Sequence, residues 1–379
     1  MSRGTELKLS TKTRAIPVLT MALAGTLALA ACGASNESSS ASNSSAGGSS
    51  AAQLSGSLNG AGSTAQQAAM QGWTAGFNAA QPKVTVNYDA VGSGGGRTQW
   101  LAGGVNFAGS DAALGTDELP KANTLCGTKG VFELPDYVSA IAVVYHLPGV
   151  DKLNLKPATI AGIFNGKITK WNDPAIAADN SGVSLPSTPI SPVHRSDKSG
   201  TTKNFTDYLQ KASAGTWADP SADVWPIKGG EAANGTSGVI SAIKAGDGTI
   251  GYADESQAVG VQIANIGVSG SFIPPSAAAA AKVVESSKVQ SGRGQYDFAY
   301  DLNRTPTSAD EYPIVLVSYH IGCITPKDKA TADLMKAFFG YVISSAGQDA
   351  AAKAAGSAPI TDTVRAQSKT AVDAISAGA

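Results

Sequence analysis

Charge of either sign is scarce in this chain, and neither sign dominates. Of 379 residues, 28 are Lys or Arg and 29 are Asp or Glu, for a formal net charge of −1. Without a basic excess there is no field to hold a nucleic-acid backbone, so nucleic acid is excluded as a partner. Histidine is scarcer still: His146, His194 and His320 are far apart and read as structural or surface groups. No Cys/His cluster has metal-ligand spacing, so neither a metal nor a cofactor is expected. Long apolar runs are also lacking. The run Ile16 to Ala31 covers 16 residues, short of the roughly 20 that a membrane-spanning helix needs. No internal repeat is visible. What is present is a 42% hydrophobic content, enough for a buried core, and 43 Gly, which implies many tight turns. The length suits two or three domain-sized units.

The N-terminal segment is a targeting signal rather than fold. Arg3, Lys8, Lys12 and Arg14 precede the apolar run, the pattern of a secretory signal over residues 1–31. The run ends Leu29-Ala30-Ala31-Cys32-Gly33. That ending resembles the bacterial lipoprotein cleavage box, in which the cysteine becomes the lipidated first residue. Residues 32–53 would then be lipidated Cys32 followed by a Ser/Gly-rich stretch that cannot bury a core and serves as a tether. The expectation is an extracytoplasmic body, lipid-anchored to the outer face of the bacterial cell membrane. Two further cysteines remain, Cys126 and Cys323. In an oxidising compartment they most simply form one disulfide, with two separate buried thiols as the other reading.

From Leu54 onward, strand-like and helix-like patterns alternate, which argues for an α/β protein. Val84 to Tyr88 alternates as a strand does, and the apolar runs Val138–Tyr145 and Ile314–Tyr319 suit buried strands. Met70, Trp73 and Phe77 recur at helical spacing, as do Phe205, Tyr208 and Leu209, and Ala332–Phe339 is helical in pattern. The interrupted stretch Ile266–Ser291 reads as a surface excursion.

Three places share one local grammar: a strand-like lead, a Gly- and hydroxyl-rich turn, then a helix. They are Leu58–Thr64, Val91–Arg97, and His194-Arg195-Ser196-Asp197-Lys198-Ser199-Gly200-Thr201-Thr202-Lys203-Asn204-Phe205. The first N–H groups of a helix have no intrahelical partner, and the helix dipole adds partial positive charge there. Glycine lets those N–H groups approach a ligand, and Ser or Thr adds hydroxyl donors, so the combination suits an anion. Any one such turn is an ordinary N-cap; three with an arginine are a pattern. The turns are not nucleotide loops. Gly92–Arg97 lacks the Gly-Lys-Ser/Thr ending of a P-loop, and no Gly-x-Gly-x-x-Gly opens a dinucleotide unit. A fourth element, Val105–Asp111, runs strand-like into Ser110-Asp111.

Taken together, GAGST (60–64), GSGGG (92–96), FAGSD (107–111), GKITKWNDPAI (166–176), HRSDKSGTTKNF (194–205) and GTIGYA (248–253) resemble the periplasmic-type phosphate-binding proteins of ABC importers, the PstS family. The resemblance is clear over Leu54–Ala253 and looser beyond. It implies a two-lobed periplasmic-binding-protein fold (type II-like) with ligand in the interlobe cleft. Residues 54–137 would begin lobe 1, 138–255 would form lobe 2, and 256–379 would complete lobe 1. Cys126 and Cys323 then share a lobe. The phosphate contacts implied are Thr64, the backbone of Ala65, Ser93, Asp111, Arg195, Ser199, Gly200 and Thr201, with Asp197 supporting Arg195. Where the family commonly has an aromatic after the Thr of the first loop, this chain has Ala65.

The resemblance also implies a non-enzymatic monomer that hands inorganic phosphate to transmembrane permease subunits. Asp111 fits a ligand that carries a proton to donate. Phosphate does at neutral pH; sulfate does not, and an analogue missing a required hydrogen bond is rejected by roughly 10⁴–10⁵. The alternatives are a binding protein for another oxyanion and a surface phosphatase with Ser199 or Thr201 as nucleophile, along with a sensing or adhesion role.

Overall fold

The computed structural model describes residues 53–378. The expected signal segment 1–31, the lipidation site Cys32 and the tether through residue 52 lie outside the described residues, as does residue 379.

The chain begins with three strand–helix steps. Strand β1 (Gly56–Gly62) leads into helix α1 (Gln67–Ala80), β2 (Val84–Asp89) into α2 (Ser93–Leu101), and β3 (Phe107–Ser110) into α3 (Leu119–Cys126). The helical spacing seen in the sequence is the buried face of α1: Met70, Trp73 and Phe77 all point into the core. Strands β2 and β3 each lie parallel to β1, the arrangement expected when helices connect the strands.

Strand β4 (Val131–His146) is the long element of the molecule. Its first fifteen residues are buried, and its two ends pair with different long strands. Residues 131–140 pair with β15 (Val315–Cys323) and residues 141–146 with β8 (Thr249–Asp254), both antiparallel. The two halves of the sheet therefore share one continuous strand. The overall order is β2-β1-β3-β15-β4-β8-β6-β7, where β6 is Ser191–Arg195 and β7 is Glu231–Ala233.

Between β4 and β8 run β5 (Asn154–Leu155), α4 (Pro157–Phe164), α5 (Pro174–Asp179), α6 (Gly200–Ala212) and α7 (Gly235–Ala245). Helix α6 buries Phe205, Tyr208 and Leu209, and Phe205 stacks on Tyr252 of β8 at 4.3 Å. After β8 come β9 (Gln262–Ile263), β10 (Asn265–Val268), β11 (Ser271–Ile273), α8 (Ala277–Glu285) and the short strands β12 (Lys288–Val289), β13 (Tyr296–Asp297) and β14 (Tyr300–Asp301). Three helices close the chain: α9 (Lys329–Val342), α10 (Ser345–Ala355) and α11 (Asp362–Ala374).

Strand β9 pairs with the far end of β4, and β10 pairs with β5. One observation differs from the sequence reading: 266–291 is not merely a surface excursion, because Ile266, Ala280 and Val283 are fully buried. The run of alanines is α8, and its small side chains let it pack closely. Cys126 at the end of α3 and Cys323 at the end of β15 are joined as a disulfide across 197 residues of sequence.

Candidate functional site

The Gly/hydroxyl turns and the end of β3 come together where the two halves of the sheet meet. Thr64, Ser93, Asp111, Arg195, Ser199 and Thr201 are all buried, although each is polar. Buried polar groups need partners, and those partners define the site.

Asp111 is at its centre. Its Oδ2 accepts from the hydroxyls of Thr201 (3.0 Å) and Ser93 (3.4 Å), and its Oδ1 accepts from Ser318 of β15 (2.9 Å). Its own N–H donates to Ser93 Oγ at 3.1 Å. Burial pushes the Asp111 carboxyl above the ordinary carboxylate range, while surrounding hydroxyls and the charge of Arg195 pull the other way.

On the opposite side, Arg195 at the end of β6 grips Asp197 with its fork: Nε to Oδ1 at 2.7 Å and Nη2 to Oδ2 at 2.5 Å. Asp197 Oδ1 also accepts from the N–H of Gly235 at 3.2 Å. Partial burial raises the Asp197 carboxyl, but the hydrogen bonds and charge of Arg195 outweigh it, and the group stays below its usual range. Gly92 faces this pair. A Cβ there would lie 2.2 Å from Asp197 Oδ2, and the backbone sits at φ +84°, so only glycine fits.

The helix starts behave partly as caps. Ser199 Oγ accepts from the Thr202 N–H at 3.2 Å, a plain N-cap that leaves its hydroxyl hydrogen to donate elsewhere. Ser63 Oγ accepts from the N–H groups of Ala65 (3.1 Å) and Gln66 (3.2 Å). The Ala65 N–H, expected to face an anion, is thus held by Ser63, and Thr201, expected as a ligand donor, gives its hydroxyl hydrogen to Asp111. Gly200 sits against the Asp111 side: an added Cβ would meet Ser93 Oγ at 2.7 Å and Asp111 Cβ at 2.8 Å.

Groups not singled out in the sequence also take part. Thr64 Oγ1 lies 3.0 Å from Thr236 Oγ1 and accepts from the Thr236 N–H at 3.2 Å. Gly235 and Thr236 open α7 within Asn234-Gly235-Thr236-Ser237-Gly238, a fourth turn of the same grammar. Gln257 donates to the Thr64 carbonyl at 2.7 Å. His194 does not serve the hydroxyls: its ring nitrogens lie at the carbonyls of Arg195 (3.0 Å) and Gly229 (3.2 Å). His320 is wholly buried against Asp136 at 2.6 Å, and among the described residues no group of three or more His, Cys, Asp or Glu has the arrangement of a metal site.

A buried arginine forked onto a half-buried carboxylate, near a second carboxylate ringed by hydroxyls, with helix starts close by, is an arrangement that suits an oxyanion. The comparisons agree. Residues 45–346 match the family model described as a PBP superfamily domain. The chain is 38% identical to phosphate-binding protein PstS 2 of Mycobacterium tuberculosis, over 93% of this chain and 96% of that one. It is 34% identical to phosphate-binding protein PstS of Xylella fastidiosa, over 74% of this chain and 76% of that one. The chain belongs to the PstS family of phosphate-binding proteins within the PBP superfamily. The fold matches a solved high affinity periplasmic phosphate-binding protein bound with phosphate, with a TM-score of 0.70 at 24% identity, covering 83% of this chain and 93% of that one. It also matches the phosphate-binding protein from Stenotrophomonas maltophilia, with a TM-score of 0.65 at 19% identity, covering 83% and 93%.

Proposed function

We propose that this protein binds inorganic phosphate outside the cytoplasm and delivers it to the transmembrane subunits of an ABC-type importer, without chemistry on the ligand. The observation that carries the reading is the pairing of two carboxylates with opposite surroundings. Arg195, steered by Asp197, supplies charge-assisted donors to the phosphate oxygens. Asp111, surrounded by hydroxyls rather than cations, accepts the proton that phosphate carries and sulfate lacks.

The remaining donors are the hydroxyls of Thr64, Ser93, Ser199 and Thr201 and the N–H groups of Ala65, Gly200 and Thr201. For Thr201 and Ala65 this requires a change of partner on binding: Thr201 turns from Asp111 Oδ2 as the ligand hydroxyl takes that acceptor, and Ala65 N–H turns from Ser63. Thr236 joins the set through its contact with Thr64. Residues 54–137 and the chain after about residue 273 form one lobe. The middle segment, carried through β11, forms the other. This division is supported by the pairing of β9 and β10, and the shared strand β4 links the lobes so that they close by hinge bending. Cys32 carries the lipid, and the protein acts as a monomer.

Calorimetry on the purified body, residues 53 onward, tests the reading. Phosphate is expected to bind at least about 10³-fold more tightly than sulfate, a conservative share of what a missing hydrogen bond costs. Equal affinity for the two anions, or no phosphate binding at all, would overturn it.

A further inference from the structure

Asn204 lies one turn into α6 and is buried. Its amide has partners on three different segments. Nδ2 donates to the backbone carbonyl of Asp111 at 2.6 Å and to that of Gly200 at 3.0 Å. Oδ1 accepts from Nη2 of Arg304. Because a guanidinium only donates, it fixes which end of the amide faces it, and both Nδ2 hydrogens are left for the two carbonyls.

Arg304 is itself held from several sides. Its side chain is 1% exposed. Nε meets Asp207 of α6 at 2.8 Å, and Nη1 meets the carbonyls of Pro313 at 3.2 Å and Val315 at 2.8 Å. Arg304 thus ties the start of β15 to α6 and sets the orientation of Asn204 between them.

The consequence concerns Asp111. Oδ1 is held by Ser318, and the Asp111 N–H is held by Ser93. Oδ2 is bound by hydroxyls that can rotate away, those of Thr201 and Ser93. When a ligand hydroxyl takes Oδ2, the direct tie from Thr201 of α6 to Asp111 loosens. The tie through Asn204 is to backbone carbonyls and remains. Asp111 and Gly200 are far apart in sequence, so this amide is what fixes the gap between the acceptor and the N–H groups at the α6 start. A cavity of about 430 Å³ opens beside it, lined by Asp111, Asn204, Asp207, Lys211, Arg293 and Arg304 among others. Shortening Asn204 would enlarge that space toward Asp111 and admit water to the acceptor.

We infer that Asn204, oriented by Arg304, is a positioning residue that sets the spacing between Asp111 and the Gly200–Thr201 N–H groups, and with it the preference for an oxyanion that carries a proton. The inference rests on the phosphate reading above. Its test is calorimetry with phosphate and sulfate on the unaltered protein and on Asn204→Ala, Asn204→Asp and Arg304→Lys, each checked for folding by its unfolding transition. Asn204→Asp keeps an acceptor for Arg304 but loses both donors and adds a negative charge, so it is read beside the neutral Asn204→Ala. Expected is a phosphate-to-sulfate affinity ratio narrowed at least about tenfold in Asn204→Ala and Asn204→Asp, which is one charge-neutral hydrogen bond's worth of discrimination. A smaller narrowing is expected in Arg304→Lys. If one variant does not fold, the others decide. A ratio unchanged in the folded variants, even with both affinities lowered, makes Asn204 merely structural and overturns the inference. Absence of phosphate binding in the unaltered protein would instead overturn the reading on which it rests.

Discussion

Two carboxylates of the candidate site have surroundings that differ in kind. Asp111, at the end of β3, is met by the hydroxyls of Ser93, Thr201 and Ser318 and is pushed upward by burial. Asp197, just after β6, is gripped by the fork of Arg195 and kept below its usual range. The difference separates two tasks that one carboxylate cannot perform together. In the proposed reading, Asp197 is a charged strut at neutral pH that aims the cation of Arg195. Asp111 is an acceptor whose partners are neutral and exchangeable, so a proton on the ligand can replace one of them.

The largest expected effect removes the Asp197 side of the comparison. Arg195→Ala takes the cation from the ligand and leaves the half-buried Asp197 with the Gly235 N–H but no counter-charge. Phosphate affinity should fall at least about 100-fold, or roughly 3 kcal/mol, by calorimetry. A loss of under fivefold would mean that Arg195 does not touch the ligand.

Asp197→Asn sharpens the comparison, since it keeps the shape and removes the charge that steers Arg195. A loss of about tenfold in phosphate affinity is expected. The same variant tests the sign of the ionisation. Because the folded carboxyl lies below its unfolded value, its stabilisation is present above the unfolded pKa and is lost as pH falls through the folded one. The unaltered protein should therefore lose stability below about pH 4 more steeply than Asp197→Asn, as read from unfolding midpoints.

Thr64→Val removes a hydroxyl from the far wall along with its contact to Thr236. About a fivefold loss of affinity is expected from one neutral hydrogen bond. No change would place Thr64 outside the site.

The smallest effect concerns a third buried carboxylate, and it is on stability alone. Asp254, at the end of β8, accepts from Tyr137 at 3.1 Å and Ser256 at 2.5 Å, and burial pushes its pKa up to about 7. A raised folded pKa means that stability present below the unfolded value near 4 is lost as pH rises toward 7. Asp254→Asn should flatten the decline of the unfolding midpoint between pH 5 and pH 8. An identical decline in both proteins would contradict the assignment.

Much of this architecture was legible in the sequence, and the reasons are local. The buried faces of α1 and α6 follow from the spacing of Met70, Trp73 and Phe77, and of Phe205, Tyr208 and Leu209. Turns that combine glycine, hydroxyls and a helix start are readable as places where N–H groups face outward. The turn at Asn234–Gly238 carries the same signal, and its Thr236 meets Thr64. Ser318 and Asn204 were not legible as site residues. Ser318 reaches Asp111 because β15 pairs with β3 in a register that sets Tyr319 against Ser110, and no local pattern announces such a register. Asn204 reads as one more polar residue on α6 until Arg304, a hundred residues later, is seen to orient it. Whether β9 and β10 return to the first half or stay with β4 and β5 depends on pairing, which composition does not encode either.

The central claim is that Asp111 selects for a proton on the ligand, and Asp111→Asn tests it most directly. The amide keeps the size of the side chain, but it presents a donor where the acceptor stood. Titrated side by side at neutral pH with phosphate and sulfate, the unaltered protein should favour phosphate by at least about 10³-fold. The variant should bind phosphate more weakly and sulfate more tightly, closing most of that gap. A variant that still prefers phosphate by the same margin would contradict the account.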